Sequence, residues 1–235
     1  MTHKIAALLL ASILGCQTEM PAPDATGAAQ RADTAAGVVA APADSLDERA
    51  AILFLGTSLT AGYGVGAGAA FPALIQQRID SAGLPYRVVN AGLSGETSAG
   101  GLRRLDWSLQ DSVAVLVLEL GANDGLRGLP VEQMRANLDS ILARTRARYP
   151  DVRLVVAGME APPNLGAPYT SAFRNVFMEL ADEYDAALVP FLLTGVAGDA
   201  ALNQEDGIHP TAEGHRIIAD NVWVVLDSVL SVPQP

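Results

Sequence analysis

Residues 50–235 are predicted to form an α/β domain built on a parallel sheet. Two observations lead to this prediction. Short, continuous apolar runs, typical of strands buried on both faces, recur along the domain. Segments with helically spaced apolar residues alternate with these runs. Alternating strands and helices form parallel sheets that are covered on both faces, and such folds place their sites beyond the carboxyl ends of the strands.

The first half of the domain contains two predicted strand–helix pairs. AILFLG (51–56) is a short apolar run and is predicted to be the first strand. FPALIQQRIDSAG (71–83) has helical spacing and ends in glycine, as helices often do. YRVVNAG (86–92) is the second predicted strand, and SAGGLRRLDWSLQ (98–110) is predicted to be a helix although it contains two glycines.

The second half contains three further strands and three further helices. VAVLVLELG has the most continuous apolar run and is the clearest strand of the domain. VEQMRANLDSILARTRARY is predicted to be a helix because Pro130 precedes a segment of helical spacing. In chain order, the predicted elements are VAVLVLELG (113–121), VEQMRANLDSILARTRARY (131–149), VRLVVAGME (152–160), YTSAFRNVFMELADEYD (169–185), ALVPFL (187–192) and TAEGHRIIADNVWVVLDSVL (211–230).

The N-terminus is predicted to be a signal peptide, residues 1–15. MTHK is a short basic start, and the apolar run IAALLLASIL follows it. This run is too short to span a bilayer, which takes roughly 20 residues. The run ends in ILGC, which resembles a bacterial lipobox, and this resemblance implies that Cys16 is lipidated. An ordinary secretory signal with an incidental cysteine is the alternative.

Residues 16–49 are predicted to be a lipidated, flexible linker. This segment is rich in Ala, Pro, Asp and Thr and contains no aromatic residue, so it cannot bury enough apolar surface to fold. Gln17, rather than an aspartate, follows the cysteine. The expected location is therefore the bacterial cell envelope, as a periplasm-facing lipoprotein of the outer membrane. A secreted or periplasmic protein is the alternative.

Composition argues against several functions. The formal net charge is −11, from 15 basic and 26 acidic residues, which argues against nucleic acid as a partner. Cys16 is the only cysteine, so the chain can form neither an intrachain disulfide nor a metal site built on several cysteines. No metal, cofactor or protein partner is predicted.

Polar residues suited to acyl transfer follow the predicted strands. Ser58 comes just after the first strand, Gly95 after the second and Asn123 after the third. Asp206 and His209 lie in DGIHPT, between the last strand and the last helix. Because the carboxyl ends of parallel strands meet at one edge of a sheet, these residues are expected to lie close together.

The residue types match the requirements of nucleophilic catalysis. A serine hydroxyl is a weak nucleophile until a base removes its proton; His209 is the suitable base, and Asp206 would orient it. The N–H groups of Ser58 and Gly95 and the amide of Asn123 can stabilise an oxyanion. Pro210 is expected to open the last helix. A flavin- or phosphate-binding loop at GTSLTAGYG is an alternative, but such a binder has no need for the histidine or the asparagine.

Four segments resemble the sequence blocks of the SGNH hydrolases, also called GDSL esterases or lipases. They are FLGTSLTAGYG, NAGLSGETSAGGLRRL, LELGANDGLRG and DGIHPTAEG. The resemblance runs from about residue 51 to the last helix. The second and third segments are most similar to the bacterial branch that contains the multifunctional arylesterase, acyl-CoA thioesterase I and lysophospholipase. One departure is Thr57, which stands where the family usually has aspartate.

This resemblance implies a flavodoxin-like, three-layer α/β/α sandwich with five parallel strands. It implies a catalytic triad of Ser58, His209 and Asp206, and an oxyanion hole formed by Ser58, Gly95 and Asn123. The implied substrates are carboxylic esters or thioesters of small molecules or lipids. A carbohydrate O-acetyl esterase and a non-catalytic envelope lipoprotein on the same scaffold are the alternatives.

Three polar residues near these segments are given structural roles. Glu119 lies in an apolar strand and needs a partner, for which an arginine such as Arg127 is expected. His215 is expected to pack or to form hydrogen bonds near the start of the last helix. Asp124 is expected to accept structural hydrogen bonds.

Overall fold

A computed structural model describes residues 49–109 and 112–231. The predicted signal peptide, Cys16 and the linker up to residue 48 lie outside these ranges. Within them, no helix is both long enough and apolar enough to cross a membrane.

Five parallel strands form one sheet in the order β2-β1-β3-β4-β5. This is the flavodoxin-like order, so the predicted fold class is confirmed. Each strand is short, and the central ones are almost wholly buried, as their continuous apolar runs predict. The strands are β1 (Ala50–Gly56), β2 (Tyr86–Gly92), β3 (Val113–Glu119), β4 (Arg153–Ala157) and β5 (Ala187–Val189).

The described residues contain seven α-helices and two short 3-10 turns. The helix α2 packs against α7, whereas α3 and α6 both pack against α5. The first crossover runs from β1 towards one edge of the sheet, and the later crossovers run towards the other edge. Right-handed crossovers therefore place α2 on one face and α3, α5 and α6 on the opposite face. The helices are α1 (Ser58–Ala61), α2 (Phe71–Ser81), α3 (Ser98–Ser108), α4 (Ala122–Leu126), α5 (Val131–Arg148), α6 (Ala167–Glu183) and α7 (Ala212–Ser231).

The prediction that Pro210 opens the last helix is wrong. The helix α7 begins at Ala212, and Pro210 instead forms an isolated antiparallel bridge with Asn203. Thr211 caps the helix: its carbonyl accepts from the N–H of His215 at 2.9 Å, and its hydroxyl accepts from Gly214 at 3.3 Å. A threonine can accept these bonds, so the helix begins at Ala212, two residues later than a start at Pro210 would give.

Candidate active site

The nucleophile candidate lies in a tight turn at the end of β1. Ser58 is the first residue of α1, and the side chain of Thr57 caps this short helix by accepting from Leu59 N–H at 3.4 Å. Gly62 ends the helix with φ of +74°, a conformation that glycine adopts without strain. The N–H of a first helical residue has no carbonyl one turn earlier to bind. The N–H of Ser58 is therefore suited to an oxyanion.

His209 joins Ser58 to Asp206 in one hydrogen-bonded chain. Its Nε2 atom lies 2.9 Å from Ser58 Oγ, and its Nδ1 atom lies 2.6 Å from Asp206 Oδ2. A carboxylate only accepts, so we assign the proton to Nδ1, which leaves Nε2 free to accept the serine proton. This is the tautomer that a general base requires.

The Asp206 carboxylate is held by its own loop. Its Oδ1 atom accepts from the backbone N–H groups of Ile208 and His209, each at 3.0 Å. The hydrogen bond from the imidazole, together with these two backbone bonds, lowers the pKa of Asp206 to about 2. The carboxylate therefore stays ionised at neutral pH.

Gly95 and Asn123 line the same cleft as Ser58 and His209. Gly95 has φ of +76°, and a Cβ there would meet only a guanidinium nitrogen of Arg127 at 4.0 Å, so conformation rather than space requires glycine. One N–H of the Asn123 amide donates to Glu96 O at 2.9 Å. This bond orients the amide and leaves its second N–H for a ligand. The structure thus gathers all five residues singled out in the sequence at one edge of the sheet.

The cleft beside Ser58 has a volume of about 560 Å³ and mostly apolar walls. Loops after β4 and β5 form much of its far side. The Tyr63 ring lies 4.5 Å from the His209 imidazole, measured between centroids, and covers part of it. The apolar lining residues are Leu59, Tyr63, Ala122, Leu126, Met159, Ala161, Pro162, Phe191, Leu193, Ala197 and Ile208.

The predicted pairing of Glu119 with Arg127 is wrong. Glu119 is buried and accepts hydrogen bonds from both N–H and hydroxyl groups of Thr57 and Thr60, at 2.7–3.3 Å. The register of β1 and β3 places Gly56 opposite Glu119, so the two threonines are its nearest polar neighbours. Arg127 instead donates to Gly95 O at 2.8 Å.

The pKa of Glu119 lies above its usual value because burial raises it by more than the four hydrogen bonds lower it. The threonine that replaces the usual aspartate thus has two contacts. Thr57 caps α1 and donates to Glu119, which binds the nucleophile turn to β3.

Two further polar residues take structural positions, as expected from the sequence. His215 is fully buried, stacks on Phe71 and accepts from the N–H of that residue at 3.3 Å. Burial and the nearby charge of His209 lower the pKa of His215 to about 4. Asp124 accepts from the N–H and hydroxyl of Ser98 at 2.8 and 2.6 Å.

Sequence reasoning missed an ion pair beneath the Gly95 loop. Arg104 Nε donates to Glu96 at 2.6 Å, and its Nη2 atom donates to the carbonyls of Gly56 and Ala91 at the ends of β1 and β2. This pair fixes the loop that presents Gly95. The contacts join three elements, so no local pattern could reveal them. Among residues 49–109 and 112–231, no cluster of three His, Cys, Asp or Glu side chains could hold a metal ion.

The fold and this arrangement of serine, histidine and carboxylate are those of a serine hydrolase. Residues 54–217 match the model of the GDSL-like Lipase/Acylhydrolase family, and the chain belongs to this family. The predicted family is thereby confirmed.

Relatives with assigned activities are similar over most of the chain. The chain is 41% identical to esterase TesA of Pseudomonas aeruginosa, over 76% of this chain and 89% of the relative. It is 40% identical to thioesterase 1/protease 1/lysophospholipase L1 of Escherichia coli K12, over 77% and 82%. It is 35% identical to an arylesterase of Vibrio mimicus, over 73% and 85%. These relatives confirm the prediction that the chain is a hydrolase of ester bonds.

Solved structures agree with this relationship. The crystal structure of TesA has a TM-score of 0.73 at 40% identity and covers 76% of this chain and 99% of its own. Psychrotrophic esterase EstA from Pseudoalteromonas sp., inhibited by monoethylphosphonate, has a TM-score of 0.73 at 34% identity, with coverage of 77% and 99%. AlinE4, an SGNH-hydrolase family esterase, has a TM-score of 0.64 at 40% identity, with coverage of 79% and 98%.

Proposed function

We propose that this chain cleaves carboxylic esters or thioesters through an acyl-enzyme on Ser58. The observation that carries the proposal is the hydrogen-bonded chain from Ser58 Oγ to His209 Nε2 (2.9 Å) and from His209 Nδ1 to Asp206 (2.6 Å). Such a chain activates a serine hydroxyl, which is otherwise a weak nucleophile.

In the acylation step, Ser58 Oγ attacks the ester carbonyl carbon and its proton passes to His209 Nε2. The carbonyl oxygen becomes an anion, which binds the N–H groups of Ser58 and Gly95 and the free N–H of Asn123. Asp206 stabilises the imidazolium that forms. The carbon–oxygen or carbon–sulfur bond then breaks, and the imidazolium returns its proton to the departing alkoxide or thiolate.

In the deacylation step, His209 takes a proton from water, which attacks the carbonyl carbon of the acyl-enzyme. The tetrahedral intermediate collapses, the bond to Ser58 Oγ breaks, and the imidazolium gives its proton to the serine oxygen. The products are a carboxylic acid and free enzyme. Every proton taken by the histidine is returned, so no step draws on a metal or a cofactor.

The cleft supports small-molecule or lipid esters with an apolar acyl chain as the substrates. Its walls are mostly apolar, and burying each methylene of a chain contributes about 0.8 kcal/mol. The names of the relatives above include esterase, thioesterase, lysophospholipase and arylesterase, which fits this class. The same walls offer few partners for the hydroxyl groups of a sugar, which disfavours a carbohydrate O-acetyl esterase. The hydrogen-bonded serine disfavours a non-catalytic role.

The N-terminal sequence supports a membrane-anchored enzyme. Residues 1–15 are proposed to be a lipoprotein signal peptide, Cys16 to carry the lipid and the segment to residue 49 to be the tether. The domain would then face the periplasm from the outer membrane. Esters in or near that membrane would be its substrates.

A series of 4-nitrophenyl esters with acyl chains of increasing length tests the hydrolase proposal. The full chain is expected to hydrolyse them, with an optimum length that measures the depth of the cleft. Ser58→Ala should lose at least about 10⁴-fold in kcat because it lacks the nucleophile. Ser81→Ala, which removes an exposed hydroxyl on α2, is the matched control and should keep wild-type rates. An inert wild type, or an active Ser58→Ala, would refute the proposal.

A further inference from the structure

Gln204 connects the loop of the nucleophile candidate to the loop of the histidine. Its side-chain nitrogen donates to Tyr63 O at 2.8 Å and to Pro210 O at 2.9 Å. Tyr63 belongs to the segment that follows α1, and Pro210 directly follows His209. One amide group therefore bridges two segments that are far apart in sequence.

Both ends of this bridge lead to the backbone of the residues that carry the reacting atoms. On one side, Tyr63 N–H donates to Ser58 O at 3.0 Å. On the other side, Gln204 N–H donates to His209 O at 2.7 Å. The bridge is thus one backbone bond away from each of the two residues whose side chains must meet. Gln204 itself does not line the cleft.

The chemistry of the bridge requires a group that donates two hydrogen bonds. Carbonyl oxygens only accept, so both partners need a donor, and within the glutamine side chain only the NH₂ end donates. This requirement also assigns the amide orientation. A carboxylate of the same shape would face two acceptors, and an apolar chain of the same length would bind neither.

The backbone of the nucleophile loop also packs against this side chain. Gly64 has φ of +75°, and a Cβ there would lie 2.0 Å from Gln204 Oε1. The two segments are therefore in direct contact as well as hydrogen bonded, and a single methyl group would force them apart.

We propose that Gln204 is a positioning residue that holds the two loops in register and so sets the distance between Ser58 Oγ and His209 Nε2. This inference rests on the proposed function, since it concerns the geometry of that reaction. A displacement of about 1 Å between reacting groups can cost about 10²-fold in rate. The bridge acts through its neighbours, so its loss should lower kcat and leave KM nearly unchanged.

Two side-chain variants test the proposal directly. For Gln204→Glu and Gln204→Met, kcat per titrated site on a soluble 4-nitrophenyl ester should fall between about tenfold and a hundredfold. KM should stay within about twofold. Titration with a nitrophenyl phosphonate counts only folded, competent sites, so a loss of folding alone cannot produce the effect. Gln77→Glu, the same change at an exposed position of α2, is the control and should keep wild-type kcat.

A second pair of variants perturbs the contact from the other loop. Gly64→Ala and Gly83→Ala both place a side chain at positive φ, at +75° and +65°, but nothing lies within 4 Å of the added methyl at Gly83. Only Gly64→Ala should lower kcat. Adding Gly64→Ala to Gln204→Ala should cost less than adding it to the wild type, because the shortened side chain leaves room for the methyl.

The outcomes separate this inference from the proposed function. An inert wild type or an active Ser58→Ala enzyme refutes the function. If wild type is active and both Gln204→Glu and Gln204→Met keep kcat per titrated site within twofold, the positioning role is overturned even if the variants unfold at lower temperature. A loss in Gln204→Glu without a loss in Gln204→Met also overturns it, because an added charge would then be the cause.

Discussion

At the residue scale, Thr57 shows how the nucleophile turn works without the usual aspartate. Its hydroxyl donates to Glu119 at 3.0 Å and accepts from Leu59 N–H at 3.4 Å. An aspartate could cap the same helix, but it would place a second carboxyl group against a buried one. Threonine keeps the cap and avoids that repulsion, so the departure from the family pattern leaves the turn intact.

Thr57→Asp should make stability depend more steeply on pH. Two carboxyl groups about 3 Å apart cannot both ionise readily, so the folded state would retain a proton that the unfolded state releases. A carboxyl pKa raised by folding gives stability that is lost as pH rises, at about 1.4 kcal/mol per unit of pKa difference. Urea unfolding at pH 5 and pH 9 should show a larger deficit against wild type at pH 9.

Thr57→Ser is the control for this change, since it keeps the hydroxyl and adds no charge. Its deficit should be the same at both pH values. A deficit of Thr57→Asp that does not grow between pH 5 and pH 9 would mean that the added carboxyl does not share the environment of Glu119.

At the element scale, the start of α7 carries a titratable group within the core. His215 is buried against α2, where its ring stacks on Phe71 and accepts from the backbone of that residue. Its pKa is lowered to about 4 in the folded chain, from 6.5 in an exposed histidine. Between these values the unfolded state binds more protons, so the free energy of unfolding falls as pH drops from 6.5 to 4.

His215→Asn should flatten this acid dependence. Wild type should lose as much as about 3 kcal/mol of stability between pH 7.5 and pH 4 through this group. Asparagine keeps an acceptor for Phe71 N–H but does not titrate, so the variant should be less stable at pH 7.5 and decline less towards acid. Urea unfolding at the two pH values measures the difference. Equal declines in variant and wild type would remove His215 as the source.

The elements were predictable where one local signal dominates. Strands such as Val113–Glu119 are continuous apolar runs, and their centres match the structure. Their ends depend on neighbours: β5 stops at Val189 because Pro190 has no N–H for a ladder. The short helix Ala122–Leu126 was missed because five residues leave too little periodicity to recognise.

The position of the site residues was predictable from the topology, whereas their contacts with other elements were not. Ser58, Asn123 and His209 each follow a strand, so topology alone brings them to one edge. Glu119 was given the wrong partner because its contacts depend on the register between β1 and β3. The sequence did not indicate a role for Gln204, because its partners are backbone carbonyls, which every residue has.

At the scale of the whole molecule, the acidic chain and its lipobox-like N-terminal sequence favour the proposed attachment by lipid over attachment by charge. The chain has 26 acidic against 15 basic residues, which disfavours binding to an anionic bilayer surface. A covalent lipid contributes about 0.8 kcal/mol for each buried CH₂ group and does not depend on protein charge.

Cys16→Ser should release the enzyme from the membrane. In a Gram-negative host, wild-type esterase activity is expected in the membrane fraction, and the variant, which lacks the thiol, is expected in the soluble fraction. The kcat per titrated site should be unchanged, because Cys16 lies outside the catalytic domain. Mass spectrometry of the mature N-terminus checks the modification itself. A variant that stays with the membrane as wild type does would refute the anchor.

The order of the chain has a consequence for when activity begins. The proposed nucleophile and its base are 151 positions apart, and the base arrives after the fifth strand. Synthesis delivers the chain from its N-terminus, and the proposed export would do the same. A partly delivered chain therefore holds the serine without the histidine and cannot turn over. If the chain is exported as proposed above, ester cleavage would start only where delivery is completed, and the esters of the compartment in which the chain is made would be protected.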